Sequence, residues 1–121
     1  MADVLVCRDG EMKDNTVRII KTGNLEIGVI RHEGKYFAYR NFCPHMGGPA
    51  CEGIRMPAIE EVIAEDKTWV GQRFIMEDMH IVCPWHGYEF HLETGVNACD
   101  KALRLQKFNV TEKNGEVFVS V

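Results

Sequence analysis

No apolar run in this 121-residue chain approaches the roughly 18 residues that a membrane-spanning helix needs. The first eight residues lack a basic stretch followed by a long apolar one, so no secretory leader is expected. Basic side chains are in the minority: 14 Lys and Arg stand against 18 Asp and Glu, a formal charge of −4. That balance argues against a nucleic-acid partner, which requires a basic face to neutralise phosphates. It suits encounter with basic patches on other proteins. The expected location is cytoplasmic, with no membrane contact. The five cysteines are odd in number and widely spread, so a disulfide framework is not expected. A cysteine close to a histidine is then read first as a metal ligand. Repeats and low-complexity tracts are absent. The length and the 45 % apolar content suit one domain, residues 1–121, with one modest core.

What is present is mostly short strands separated by turns. Residues 17–21 and 25–31 are rich in β-branched side chains and flank Gly23-Asn24, a hairpin signal. Residues 35–42 follow across Glu33-Gly34. Residues 88–92 alternate, with Tyr88, Phe90 and Leu92 on one face and Glu89, His91 and Glu93 towards the other. Residues 103–110 and 116–121 flank Asn114-Gly115, the strongest hairpin signal in the chain. The expected class is antiparallel all-β. One segment departs from it: residues 57–66 carry Ile59, Val62 and Ile63 at helical spacing behind Pro57, and predict a short helix. An irregular stretch through Trp69 and Phe74 is expected to lead back to a strand at 80–82.

Two loops carry the chemistry. The first reads Cys43-Pro44-His45-Met46-Gly47-Gly48 and the second Cys83-Pro84-Trp85-His86-Gly87. Thiolate and imidazole are both metal ligands, and such close spacing can set both on one side of a tight loop. The prolines stiffen each loop, and the glycines let the backbone approach the site. Two Cys and two His also satisfy tetrahedral zinc. Structural zinc sites, however, usually pair Cys with Cys and His with His, whereas each loop here offers one of each. That division suits a two-iron cluster with two cysteines on one iron and two histidines on the other.

The two loops, with the continuation through Tyr88-Glu89-Phe90 to Leu92-Glu93-Thr94-Gly95, resemble the cluster-binding boxes of the Rieske iron–sulfur family. The resemblance spans almost the whole chain. It implies a Rieske fold: an antiparallel sandwich or barrel of short strands with a small cluster-binding subdomain at about 42–90. It also implies one 2Fe–2S cluster, held by Cys43 and Cys83 on the buried iron and by His45 and His86 on the outer one. High-potential members carry an extra disulfide, at positions occupied here by Gly48 and Trp85, and a serine where this chain has Tyr88. The implied potential is therefore low in the Rieske range, near about −150 mV rather than about +300 mV. The pattern is similar to the ferredoxins of multicomponent aromatic-ring dioxygenases. Such a protein is not an enzyme on its own; it carries single electrons from a flavoprotein reductase to a terminal oxygenase. Docking is expected near His45, His86, Met46 and Trp85. The chain departs from those ferredoxins in a long insertion at about 52–79 and in a loop after Gly95 that lacks proline. Alternatives are the Rieske-like small subunit of a larger redox enzyme such as assimilatory nitrite reductase, and a redox sensor.

Cys7, Cys51 and Cys99 read as small buried or half-buried residues, and His32, His80 and His91 as surface histidines. The spare histidines look too few and too scattered for a mononuclear iron site of two histidines and a carboxylate. Glu60-Glu61 and Glu65-Asp66 read as a solvated helix face. Hydrogen bonds to the cluster sulfurs stabilise the reduced, more negative state. Tyr88→Ser should raise the reduction potential by adding a hydroxyl donor near a cluster sulfur, and voltammetry on the two proteins reads the shift. A lower potential would contradict it.

Overall fold

Hairpin turns set the main sheet. The computed structural model describes residues 3–44, 47–63, 65–67, 69–84 and 87–121. Asn114 and Gly115 have φ of 53° and 73°, and Glu33 and Gly34 have 52° and 76°. Positive φ at both central residues is the turn whose twist matches the strands it joins. Lys113 accordingly pairs with Glu116, and His32 with Lys35. Thr22 pairs with Leu25 across Gly23-Asn24.

In chain order the strands are β1 (Asp3–Arg8), β2 (Thr16–Thr22), β3 (Leu25–His32), β4 (Lys35–Arg40), β5 (Arg55–Ile63), β6 (Trp69–Val82), β7 (Glu89–His91), β8 (Lys107–Lys113) and β9 (Glu116–Ser120). A 3-10 turn at Ala50–Glu52 precedes β5. Six strands form an antiparallel barrel-like sheet in the order β1-β9-β8-β4-β3-β2, and three form a second sheet, β5-β6-β7. The Arg18 guanidinium of β2 donates to the Val6 carbonyl of β1, linking the two edges of the larger sheet. The all-β class is as expected. Strand β1 gave no signal of its own; it is held by β9, from Asp3 opposite Ser120 to Arg8 opposite Glu116. The strand expected at 103–110 begins only at Lys107. Leu103 and Leu105 instead bond back to Asn97 and Gly95, which ties down the preceding loop.

The helix expected at 57–66 does not exist. Residues of that segment form β5, which runs antiparallel to β6 from Arg55 opposite Ile81 to Ile63 opposite Trp69. Ile59, Val62 and Ile63 suit a strand as well as a helix face, and cross-strand pairing decides between them. Pro57 lies where the register shifts, a place that tolerates a missing N–H, and β5 is an edge strand. The stretch from Trp69, expected to be irregular, belongs to β6. Because β7 pairs only with His80–Val82, the outer part of β5 and β6 is a two-stranded ribbon.

Strand β3 is buried on both faces and separates two cores. Ile27 and Val29 pack with Val6, Cys7, Met12, Ala38, Val117 and Val119. Ile30, on the opposite face, packs with Tyr39, Cys43, Cys51, Ile81, Cys83 and Phe90. Between them Gly28 lets the 3-10 turn lie directly on the strand: a Cβ there would stand 2.2 Å from the Cys51 Cβ. Gly28→Ala should therefore lower stability by about 1–3 kcal/mol through forced repacking. Gly71→Ala, in open space on β6, should stay within about 0.5 kcal/mol. Urea denaturation of both variants measures the difference; equal midpoints would mean that the turn can shift without cost.

Candidate metal centre

Each expected cysteine ligand follows a strand and begins a loop that closes on itself. Cys43 follows β4, and Cys83 follows β6. The Cys43 N–H donates to the Gly48 carbonyl at 2.7 Å, and the Cys83 N–H to the Tyr88 carbonyl at 2.8 Å, each five residues on. Four residues after each cysteine stands a glycine at positive φ: Gly47 at 80° and Gly87 at 68°. Two loops of different composition thus make the same turn, for which a residue without a Cβ is the natural choice. His45 and His86, with Met46 and Trp85, lie outside the described residues.

The loops are bound together. Val82, the last residue of β6, donates its N–H to Ile54 at 2.9 Å, so the strand entering the second loop is bonded to the chain leaving the first. Cys43 and Cys83 are both buried in one apolar cluster with Ile81, Phe90, Leu92 and Leu105, and neither forms a disulfide. Bare thiolates in such surroundings would be costly, and a bound cation supplies the compensating charge. Two buried soft sulfur donors in one apolar cluster are of the ligand type that an iron–sulfur cluster takes.

A third cysteine shares that cluster without joining the pair. The Cys51 Sγ lies 3.5 Å from the Tyr39 carbonyl and 3.8 Å from that of Arg40. Its N–H donates to Asn41 Oδ1 at 3.0 Å, and Asn41 in turn donates to Glu52. Burial pushes the Cys51 thiol up to about 12, so it stays a neutral donor to backbone oxygen. Cys7 is buried in the other core. Cys99, expected to be buried or half-buried, is exposed. It lies in the loop that Asn97 Oδ1 caps by accepting from the N–H groups of Cys99 and Asp100.

The histidine reading needs more correction. His80 is buried, not a surface residue, and His91 is only partly exposed. Both imidazoles meet the Asp78 carboxylate. His91 Nδ1 lies 2.8 Å from Asp78 Oδ1, and His80 Nε2 3.2 Å from Asp78 Oδ2. His80 Nδ1 lies 2.9 Å from Glu89 Oε1. Burial raises the Asp78 pKa, but the His91 hydrogen bond and the two imidazoles outweigh it, so the carboxyl sits below its usual range. The spare histidines are thus grouped. The only sequence signal would have been the alternation of Glu89 and His91, set against a strand that had to be extended back to Asp78.

Comparison with known proteins adds the following. The family model for the Rieske [2Fe-2S] domain matches residues 2–109. The ferredoxin component of an alkene monooxygenase system from Xanthobacter autotrophicus is 24% identical over 114 residues, covering 94% of this chain and 77% of that protein. A chain of the complex of reduced oxygenase and oxidized ferredoxin in carbazole 1,9a-dioxygenase superposes with a TM-score of 0.72 at 27% identity, covering 98% of this chain and 92% of that one. A chain described as an NADH-dependent nitrite reductase small subunit from Mycobacterium tuberculosis also gives a TM-score of 0.72, over 98% of this chain and 93% of that one. At 15% identity that likeness shows the fold alone.

The geometry separates the buried cysteines. Cys43→Ser and Cys83→Ser should each abolish the visible absorption of the purified protein, with iron falling well below two atoms per chain. Cys51→Ser should retain both, since a hydroxyl can donate to the same carbonyls. Loss of the spectrum in Cys51→Ser alone would overturn the assignment.

Proposed function

The chain belongs to the Rieske [2Fe-2S] domain family, and on that premise we propose that it is a one-electron carrier, taking electrons from a flavoprotein reductase and delivering them to a terminal oxygenase. The observation that carries this reading is the pair of matched, self-closing cysteine loops, on a chain similar along nearly its whole length to a ferredoxin component. Residues 1–121 are read as one domain, with the cluster-binding part at about 42–90 and the insertion at about 52–79. Cys43 and Cys83 hold one iron, and His45 and His86 the other. When bound, the 2Fe–2S cluster supplies reversible one-electron chemistry. One electron enters and the same electron leaves, so the chain ends each cycle unchanged. The apolar cluster around Cys43 and Cys83 keeps water from the sulfur ligands. No catalysis is assigned to this chain alone.

Exposed apolar side chains border the described parts of the loops. Phe42, 45 % exposed, precedes Cys43, and its ring stands against Gly47. Ile54, 66 % exposed, follows the 3-10 turn, and Pro84 is exposed beside Cys83. These side chains give a docking patch beside the ligand loops, while the net charge of −4 steers approach from a distance. A fixed subunit of a larger enzyme is the second reading. It is favoured by the β5–β6 ribbon, which presents Trp69 at 61 % exposure away from the ligand loops in sequence.

Reconstitution with candidate reductases and oxygenases, followed by stopped-flow, tests both. Phe42→Glu should leave the cluster spectrum unchanged and slow electron delivery about tenfold, because docking would desolvate the new charge. Trp69→Glu should change the rate by less than about twofold. The reverse order, together with co-purification with a larger enzyme, would move the contact to the ribbon and favour the fixed subunit.

A further inference from the structure

The register of β6 on β7 sets His80 directly opposite His91. Residues two apart on a strand share a face, so Asp78 flanks His80, and Glu89 flanks His91. On the β5 side, Pro57 pairs with Met79 and Ala58 with Ile75, leaving residues 76–78 of β6 without partners. Such a bulge re-aims side chains, and here the Asp78 carboxylate reaches both imidazoles.

One atom in the group is left unsatisfied. His80 is more than nine-tenths buried, and its Nδ1–H is committed to the Glu89 carboxylate. Its Nε2, facing Asp78 Oδ2 at 3.2 Å, makes no hydrogen bond. A neutral imidazole would present a lone pair there to a carboxylate oxygen, two acceptors in contact. A cation between them removes the conflict. With both imidazoles neutral, Asp78 and Glu89 give the group two negative charges, which one divalent ion balances.

The geometry points to a binding site for a divalent first-row transition ion, formed by Asp78, His80 and His91 and distinct from the two cysteine loops. Ligand atoms from the three residues all lie within 4.8 Å of one another. The two imidazoles already stand 3.2 and 2.8 Å from the Asp78 carboxylate, each at a different oxygen. Around a tetrahedral ion with bonds of about 2.0–2.1 Å, ligand atoms are about 3.3 Å apart, so a small turn of the partly exposed His91 ring completes the set. Two imidazoles and one carboxylate suit zinc and its neighbours, not calcium or magnesium, which take oxygen ligands. Glu89 fills the role of a carboxylate that orients a ligating histidine through its other nitrogen. The ion would enter from a surface cavity of about 270 Å³ lined by Asp78, Met79, His91, Glu93 and Thr94. That cavity leaves a further coordination position for water. His91 would bind through the Nδ1 that now faces Asp78, with the ring proton on its other nitrogen.

The test uses the full chain with its cluster intact, stripped of loosely held metal by chelator and titrated with Zn²⁺. Calorimetry should show one zinc per chain with the visible spectrum unchanged. His91→Ala and Asp78→Asn should each weaken binding at least about 100-fold, and Glu89→Gln less, about tenfold. Zinc K-edge spectra should show nitrogen and oxygen neighbours only. Three results would overturn the site: no binding, equal affinity in wild type and both ligand variants, or sulfur at about 2.3 Å. The last would place the zinc on cysteine. Two independent ligand variants, both at partly exposed positions, guard against one of them failing to fold.

Discussion

Cys43 and Cys83 come from loops 40 residues apart in sequence, and one close contact holds the parts between them in place. The 3-10 turn carrying Ala50 and Cys51 rests on β3 at Gly28, where no side chain would fit. From there the chain runs through Ile54, which accepts from Val82, into the strand pair that leads to Cys83. A second tie crosses the same core: the Tyr39 hydroxyl donates to the Leu92 carbonyl at 2.5 Å, joining β4 of the large sheet to the chain after β7. Both partners are buried, so leaving either one unpaired would cost its full desolvation. Packing between the sheets therefore fixes where the two loops stand relative to each other.

The legible part of the fold is the part written in neighbouring residues. Asn114-Gly115 and Glu33-Gly34 dictate their turns locally, and the hairpins follow. The turns after Cys43 and Cys83 were equally open to reading, because each turn glycine lies four residues after its cysteine. Residues 57–66 misled for a physical reason. Ile59, Val62 and Ile63 satisfy helical spacing, and Pro57 looks like a helix start, but their β-branched side chains suit the ribbon that β6 completes. Strand β1 was illegible because its partner lies at the far end of the chain, Asp3 opposite Ser120.

The histidines failed to stand out for a related reason. Asp78 stands two residues before His80, but the third residue of the group, His91, comes from another strand. Their pairing needs the register of β6 on β7, and the reach of Asp78 needs the bulge opposite Pro57. Register and bulge are tertiary facts, set by which face of the small sheet is buried.

That face is where the two centres of the molecule part company. On β6 and β7, Ile81 pairs with Phe90, and both lie in the apolar cluster with the cysteines. The neighbouring pair, His80 and His91, points to the other side of the same sheet, since successive residues alternate. An apolar pair there would have been the simpler way to cover that face. Instead a buried imidazole is surrounded by two carboxylates and a second imidazole, with one ring nitrogen unsatisfied. Burying a polar group without a partner costs free energy, and the rest of the sheet gains nothing visible from it. Structural need alone does not account for such an arrangement, whereas a positive charge held between Asp78 and His80 would.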